Sequence, residues 1–263
     1  MQMKKYLEKL QSKGIYTFTR EGVKSNCPVS ESGVNMSIAR HIGRGEIVRV
    51  KKNFYVIVPP EYRKAGILPP FWFIDDLMKY KGIDYYVGLT SAAAVHGAAH
   101  QQPQVFQVIT EKQIKDIAIK GLKIEFIVKS GLPPDKYIQN KKTETGAIKV
   151  SCPELTCFDL ARYIFRSGGL SNAAGILSEL HSAVDENKLV DLAEYYAKRI
   201  YVQRLGYLFE KTGGVAASEA LGRWLNGKKT YPVYLIPRIR RKKSSLDKKW
   251  NLLVNSQFEI DVI

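Results

Sequence analysis

Arginine and lysine are the residues of this chain with the clearest capacity for chemistry, because they are concentrated in two short segments. Residues 1–65 carry a formal charge of +8 and residues 223–249 carry +9, whereas the remainder sums to −1, for a total of +16. Clustered guanidinium and ammonium groups attract polyanions, chiefly nucleic acid or an anionic membrane surface. Charge that serves solubility alone is spread more evenly, so the pattern predicts two surfaces for phosphate.

Within the first segment, a predicted helix from Ser30 to about Arg44 has a side that suits a DNA groove. Val34, Ile38 and Ile42 recur on one face, and we expect that face, with His41 beside it, to pack inward. The opposite side carries small, polar and basic residues, and the predicted DNA contacts on it are Ser32, Met36, Ser37, Arg40 and Arg44. Arg40 is the best candidate for a contact to a base, because its forked guanidinium can donate to both acceptors of a guanine, O6 and N7.

A basic hairpin is predicted directly after this helix. Glu46–Val50 and Phe54–Val58 are rich in β-branched and aromatic residues, which is typical of paired strands. Near the turn we expect four phosphate or minor-groove contacts, namely Arg49, Lys51, Lys52 and Asn53. Each phosphate neutralised adds about 0.9 to the magnitude of the salt slope. The alternative is a solvated basic hairpin on a helical domain that binds another protein.

In the second segment, basic and aromatic residues are interleaved. The cations of this second basic surface are Arg223, Lys228, Lys229, Arg238, Arg240, Arg241, Lys242 and Lys243, followed by Lys248 and Lys249; the aromatic residues are Trp224, Tyr231, Tyr234 and Trp250. Such a mixture can bind phosphates and stack on bases. A second DNA contact, an RNA contact and a flexible solvated loop all remain open.

Patterns of catalytic residues are incomplete. His96 and His100 lie four apart, but a zinc site needs three or four ligands and no third is evident. Asp135, Glu186 and Lys188 mimic a nuclease pattern, although the last two fall in a polar stretch between helices. Three cysteines are an odd count that favours reduced thiols over a disulfide framework. We therefore expect no enzyme, no metal site and no cofactor.

Neither a membrane nor a secretory location is indicated. No apolar run approaches the roughly 18–20 residues that span a bilayer. The N-terminal stretch is a short charged amphipathic helix without the features of a secretory signal. The expected location is the cytoplasm.

The order of predicted elements defines the fold class. A helix over residues 3–12, a short helix capped by Thr19, the Ser30 helix and the hairpin give the order of a winged helix-turn-helix in under about 60 residues. Proline pairs at 59–60 and 69–70 place a boundary between domains 1–66 and 67–263. The fold expected is α+β, with a winged helix-turn-helix followed by a larger mixed α/β domain.

In the larger domain the sequence predicts helices and strands in mixed order. The helices are expected at Phe71–Tyr80, Thr90–His96, Pro153–Arg166, Asn172–Ala183 and Lys188–Leu208. The strands are expected at Val105–Thr110, Ile124–Lys129 and Ala147–Cys152, with further alternation over 231–239 and 250–262.

The stretch GLTSAAAVHGAAHQQPQVFQVIT, residues 88–110, resembles the AbiEi family, the antitoxins of type IV abortive-infection toxin–antitoxin systems used in phage defence. The stretch GEIVRVKKNFYVIVPPEY, residues 45–62, looks like the wing and exit of the same family. One departure is Asn53, where glycine is expected. Asparagine tolerates positive φ better than most residues, so the turn should survive.

The resemblance implies both a function and a partner. The N-terminal domain would bind inverted repeats in its own promoter and repress its operon, and the C-terminal domain would carry the antitoxin activity. The toxin would be a nucleotidyltransferase-like protein, and a stable complex with it is not required. The alternatives are a winged-helix transcription factor with a ligand-sensing C-terminal domain and a nucleic-acid enzyme.

Overall fold

The computed structural model describes residues 2–28, 30–98, 103–196, 198–237, 239 and 244–258. The chain packs into two compact units, each formed from separated stretches. The first unit comprises Met1–Val87, Gln104–Pro133 and Asn140–Val150, and the second comprises Gly88–Pro103, Pro134–Gln139 and Ser151–Ile263.

The N-terminal part of the first unit combines three helices with a small sheet. The helices are α1 (Gln2–Gln11), α2 (Arg20–Asn26) and α3 (Glu31–Gly43), and the strands are β1 (Thr17–Thr19), β2 (Ile47–Lys51) and β3 (Phe54–Ile57). The sheet order is β1-β3-β2, and both pairings are antiparallel. This order is consistent with a winged helix-turn-helix. Strand β1 was not expected, because three residues are too short for a sequence pattern.

One hydrophobic cluster joins these helices to the sheet. Its buried members come from every element of this part of the chain and include Met3, Leu7, Phe18, Val23, Cys27, Val34, Ile38, Ile47, Tyr55 and Ile57. The rings of Phe18 and Tyr55 stack with their centres 5.2 Å apart, on strands paired in register. Since the cluster draws on α3 and on both strands of the hairpin, it sets the orientation of each relative to the other.

The rest of the first unit is built around a six-stranded mixed sheet. After the short 3-10 helices Pro60–Tyr62 and Pro70–Trp72 come α4 (Ile74–Lys81), β4 (Tyr85–Val87), β5 (Phe106–Thr110), β6 (Ile117–Ile119), β7 (Leu122–Val128), β8 (Ile138–Thr143) and β9 (Gly146–Ser151). The strand order is β6-β7-β5-β4-β9-β8. Strand β5 runs parallel to β7 and antiparallel to β4, which runs parallel to β9.

The second unit is mainly helical. Its elements are α5 (Leu89–Val95), α6 (Pro153–Arg162), α7 (Leu170–Leu180), α8 (Glu186–Tyr196), α9 (Arg199–Lys211), α10 (Val215–Leu225), β10 (Val233–Tyr234), β11 (Ser245–Asp247) and β12 (Leu252–Val254), with 3-10 helices at Asp135–Tyr137 and His181–Ala183. The three strands form a small sheet in the order β10-β12-β11.

The expected α+β class is confirmed, but several boundaries differ from the sequence prediction. The single helix expected over Lys188–Leu208 is wrong, because α8 ends at Tyr196 and α9 begins at Arg199. No glycine or proline lies between the two in the sequence, so this boundary has no local signal from which it could be predicted. The helix expected over Pro153–Arg166 ends at Arg162, and α10 was not expected at all.

Trp250 is part of the core of the second unit, which corrects its expected place on a basic aromatic surface. Its side chain is 1% exposed, and its indole Nε1 donates to Glu210 Oε2 at 3.0 Å. The Gln203 amide donates to the carbonyl of Trp250 at 3.0 Å. The ring lies against Gly206 of α9 and within contact distance of the position a Cβ would take on Gly222 of α10. A buried indole cannot stack on a base, so the aromatic character of 223–249 is partly structural.

The two compact units do not divide at the predicted boundary between residues 66 and 67. Side-chain bonds explain why the N-terminal part shares a unit with later residues: Thr17 Oγ1 donates to Asp76 Oδ2 at 2.6 Å, and Tyr80 Oη donates to the carbonyl of Lys52 at 3.3 Å. Independent folding of residues 1–66 is a different property, and it stays a prediction.

We expect Gly206→Ala to destabilise the protein by about 1–3 kcal/mol, because the added Cβ would overlap the buried Trp250 ring. The matched control is Gly175→Ala in α7, where no atom lies within 4 Å of the new Cβ. That change should stabilise by about 0.5–1 kcal/mol through helix propensity alone. Urea unfolding of the full chain measures both, and equal effects would contradict the packing described here.

Candidate nucleic-acid interface

Helices α2 and α3 each begin at a residue whose side chain caps the first turn. Thr19 Oγ1 accepts from the backbone N–H of Gly22 at 3.0 Å, and Ser30 Oγ accepts from that of Gly33 at 3.2 Å. Both caps were expected from the sequence and are confirmed. Because Thr19 also ends β1, the sheet leads directly into α2. The beginning of α2 is therefore tied to the same sheet as the hairpin.

Helix α3 is anchored by one face only. Val34 and Ile38 are buried, as expected, and so is His41. The His41 ring lies with Nδ1 2.8 Å from the carbonyl of Ser37 and Nε2 3.6 Å from a Glu46 carboxylate oxygen. Ile42, expected to pack inward, is 40% exposed, which corrects that assignment. His41 takes the inward position in the last turn, so its neighbour points outward.

The opposite face of α3 is exposed along the predicted stripe. Ser32, Met36, Arg40 and Arg44 are all exposed, and Ser37 is half-buried. Met36 has 64% of its surface in solvent, which is high for a large apolar side chain. The four exposed residues follow one another at four-residue steps, so they lie along one side of the helix. The structure therefore brings the predicted helix residues onto one accessible stripe.

An ion pair neutralises the one acidic residue at the start of this stripe. Arg20 Nη2 lies 2.8 Å from Glu31 Oε1, and Arg20 Nε donates to Asn35 Oδ1 at 3.1 Å. This hydrogen bond and charge lower the pKa of the Glu31 carboxyl and raise the pKa of the guanidinium. Arg20 thus positions the first two turns of α3. Sequence reasoning missed it, because a contact between residues 11 apart in different helices has no local signature.

The tip of the hairpin holds residues with different environments. Asn53 has φ of 62°, so it adopts the left-handed conformation that was expected to be tolerated there. Its Nδ2 lies 3.4 Å from Glu21 Oε1. Arg49 and Lys52 are exposed. Lys51 is half-buried and its ammonium donates to the carbonyl of Lys115; burial is the main cause that lowers its pKa.

The described part of the second basic surface is also heterogeneous. Arg223 and Lys228 lie 3.8 and 3.6 Å from the carboxylates of Glu219 and Glu194 respectively. The Lys228 ammonium is 4.2 Å from the centre of the Trp224 ring, and Lys229 lies near Tyr231. Lys249 pairs with the Glu210 carboxylate, and Arg238, Arg240, Arg241, Lys242 and Lys243 lie outside the described residues.

The described histidine and cysteine residues considered as possible metal or catalytic sites are part of the packing of the fold. His96 Nε2 lies 2.7 Å from the carbonyl of Ser151, and His100 lies outside the described residues. Cys27, Cys152 and Cys157 are buried free thiols, and burial raises the pKa of Cys152 to about 12. Within the ranges that the structure describes, no three His, Cys, Asp or Glu side chains are grouped so as to hold a metal ion.

An open groove of about 400 Å³ lies in the first unit, between α4 and the β8–β9 region. Its acidic side chains already have partners. Asp75 accepts from the hydroxyl of Tyr85 at 2.9 Å and lies 2.6 Å from the Lys79 ammonium. Asp76 accepts from Thr17. The carboxylates therefore serve the packing of α4.

Comparison with known proteins supports the resemblance seen in the sequence. Residues 86–211 match the family model of the AbiEi antitoxin C-terminal domain. A crystal structure titled RV2827C protein from Mycobacterium tuberculosis is similar over 97% of this chain and 90% of that chain, with a TM-score of 0.69 and 14% identity. At that identity the likeness concerns the fold alone. No curated protein matches the sequence significantly.

One observation bears on the expectation that the chain does not span a membrane. In the part of the chain that the structure describes, no helix combines the length and hydrophobicity needed to cross a bilayer.

We expect Arg20→Gln to raise the pKa of Glu31, because the guanidinium is what favours the ionised carboxylate. The pair lies at the surface, where ion pairs contribute little to stability, so the melting temperature should change little. An NMR titration of the Glu31 carboxyl carbon measures the shift. Arg20→Lys, which keeps the charge, is the matched control. An unchanged Glu31 pKa in Arg20→Gln would show that the pair does not form in solution.

Proposed function

We propose that this chain is the antitoxin of a type IV toxin–antitoxin system and represses its own operon, because residues 86–211 match the family model of the AbiEi antitoxin C-terminal domain. Residues 1–66 would bind inverted repeats in the promoter, and residues 67–263 would carry the antitoxin activity. The cognate toxin would be a nucleotidyltransferase-like protein that need not form a stable complex with the antitoxin. Both proteins would act in the cytoplasm, and the antitoxin itself would not be an enzyme.

The exposed stripe of α3 is the observation that supports DNA binding most directly. A helix enters the major groove when its outer face is small, polar and cationic, and when no unneutralised carboxylate faces the phosphates. Ser32, Arg40 and Arg44 are exposed, and Glu31 is paired with Arg20. The charge of +8 over residues 1–65 adds the non-specific attraction that every DNA-binding domain needs.

Arg40→Ala should reduce specific operator binding by about 1–3 kcal/mol if its guanidinium reads a base. Lys64→Ala is the control, because it removes one exposed charge outside the stripe. Fluorescence anisotropy with upstream operon DNA and with a scrambled duplex measures specific and non-specific binding. Toxin neutralisation in co-expression should remain near normal in Arg40→Ala. Equal losses on both duplexes would remove the base-reading role, and no binding by the wild type would remove the repressor function.

The neighbouring lysines at the hairpin tip provide a matched pair for the salt dependence. Lys52 is exposed, whereas the Lys51 ammonium already donates to the carbonyl of Lys115. Lys52→Ala should lower the magnitude of the salt slope by about 0.9, the value for one phosphate contact. Lys51→Ala should lower it less. Affinity measured across a range of salt concentrations gives both slopes, and the reverse order would show that the tip reorganises on DNA.

If the toxin acts on RNA, the antitoxin can neutralise it by binding that RNA. The second basic surface is the candidate for this RNA contact. Reversing four charges within residues 240–249 should then weaken neutralisation and leave operator binding intact. Unchanged neutralisation would exclude this role.

A ligand-sensing transcription factor is the second candidate function, and the groove of about 400 Å³ is the feature that favours it. Its volume falls within the range of small-molecule sites. Two observations distinguish the candidates: a neighbouring reading frame with nucleotidyltransferase motifs, and rescue of toxin-expressing cells by this chain. Neither is expected for a ligand-sensing regulator.

A further inference from the structure

We infer that the end of α6 and the start of α9 form a binding site for a phosphate-bearing nucleotide, supplied either by single-stranded RNA or by a free nucleoside triphosphate. The centre of this arginine–tyrosine site is Arg162, whose guanidinium lies 5.0 Å from the ring centre of Tyr163 and 5.3 Å from that of Tyr201. Two aromatic rings thus hold one cation by cation–π attraction. The residues belong to the second unit only, so the site is independent of the proposed DNA-binding stripe.

The hydrogen-bonding capacity of Arg162 is not used within the described protein. The side chain is half-buried, yet it forms no hydrogen bond or ion pair with any residue that the structure describes. A guanidinium carries five N–H donors in a planar fork that matches two oxygens of a phosphate. A side chain whose orientation is restricted by ring contacts loses less conformational entropy when it binds such a ligand.

A second polar group beside Arg162 also has no partner. The Tyr163 hydroxyl is buried and forms no hydrogen bond with the described residues. Burial raises the pKa of Tyr163 to about 12, so the hydroxyl remains a proton donor at neutral pH. A buried hydroxyl without a partner destabilises the protein. A phosphate or ribose oxygen bound at Arg162 would be a suitable acceptor.

An exposed aromatic side chain completes the site. Phe165 lies in the turn that follows α6 and is 53% exposed, while the backbone N–H of Arg166 donates to the carbonyl of Tyr163 at 2.8 Å and closes that turn. Phe165 follows Arg162 by three residues, and exposed rings near cations are the groups on which bases stack in proteins that bind single strands.

The start of α9 adds positive potential to the same place. The first turn of α9 contains Tyr201, has no acidic residue and begins with Arg199. The N-terminal end of a helix is its positive pole, and the Arg199 guanidinium there donates to the carbonyl of Lys229, a neutral acceptor that does not compensate its charge. An acidic protein segment would compensate this charge, but it would not use the exposed face of Phe165. A ligand that combines phosphate with a base uses all of these groups.

The test uses the full-length chain at about 0.15 M salt, where exposed charges are well screened. The probes are a fluorescein-labelled oligouridylate of about 12 nucleotides, followed by anisotropy, and ATP, followed by calorimetry. We expect Arg162→Gln and Phe165→Ala each to weaken binding by at least about fivefold. Lys211→Gln, which removes one exposed charge elsewhere in the second unit and outside both basic surfaces, should leave the affinity unchanged.

Each outcome decides the inference or the ligand source. Binding of the oligonucleotide alone supports a strand, binding of ATP alone supports a free nucleotide, and binding of neither overturns the site. Equal losses in Lys211→Gln and Arg162→Gln overturn it as non-specific charge attraction. Preferential binding of polyglutamate overturns it in favour of an acidic protein. Because Phe165 is exposed, Phe165→Ala keeps the test valid even where Arg162→Gln lowers the melting temperature.

Discussion

The single buried face of α3 is the constraint on which the proposed DNA-binding surface depends. A helix of 13 residues has only one apolar stripe, formed here by Val34 and Ile38 with His41 in the last turn. Burying that stripe against the cluster of the first unit leaves the opposite side in solvent. Ile47, Tyr55 and Ile57 of the hairpin enter the same cluster, so the hairpin and the helix are oriented by the same packing. A change in that core would move both surfaces together.

The cations of this protein are not equivalent, although the sequence presents them as two uniform segments. Arg20 compensates Glu31, and Lys228 lies beside both Glu194 and the Trp224 ring. Lys51 bonds to a backbone carbonyl. Such groups stabilise the fold or neutralise an acid before they can reach a phosphate. The net charge therefore sets the long-range attraction, whereas short-range recognition depends on the fewer side chains that remain accessible.

The second unit illustrates how burial reverses an expectation based on residue type. Trp250 follows a run of lysines and looks like a stacking residue, yet it fills the space left by glycines on α9 and α10. Arg162 and Phe165, by contrast, lie in a stretch without obvious basic clustering, and the structure leaves one half-buried and the other exposed. Glycines at a distant position in the chain decide where an indole fits, and no sequence window contains both.

The sequence by itself determined the features that act over three or four residues: the caps at Thr19 and Ser30, the positive φ at Asn53, and the apolar period of α3. It also carried the AbiEi signature over residues 88–110, and the family model matches residues 86–211. Tertiary structure alone decided the pairing of β1, the separation of α8 from α9, and the partners of Arg20 and Trp250. The physical reason is the separation along the chain between the groups that interact. Caps and turns are satisfied by neighbours along the chain, whereas strand pairing, close packing and ion pairs depend on groups that come together only when the chain folds.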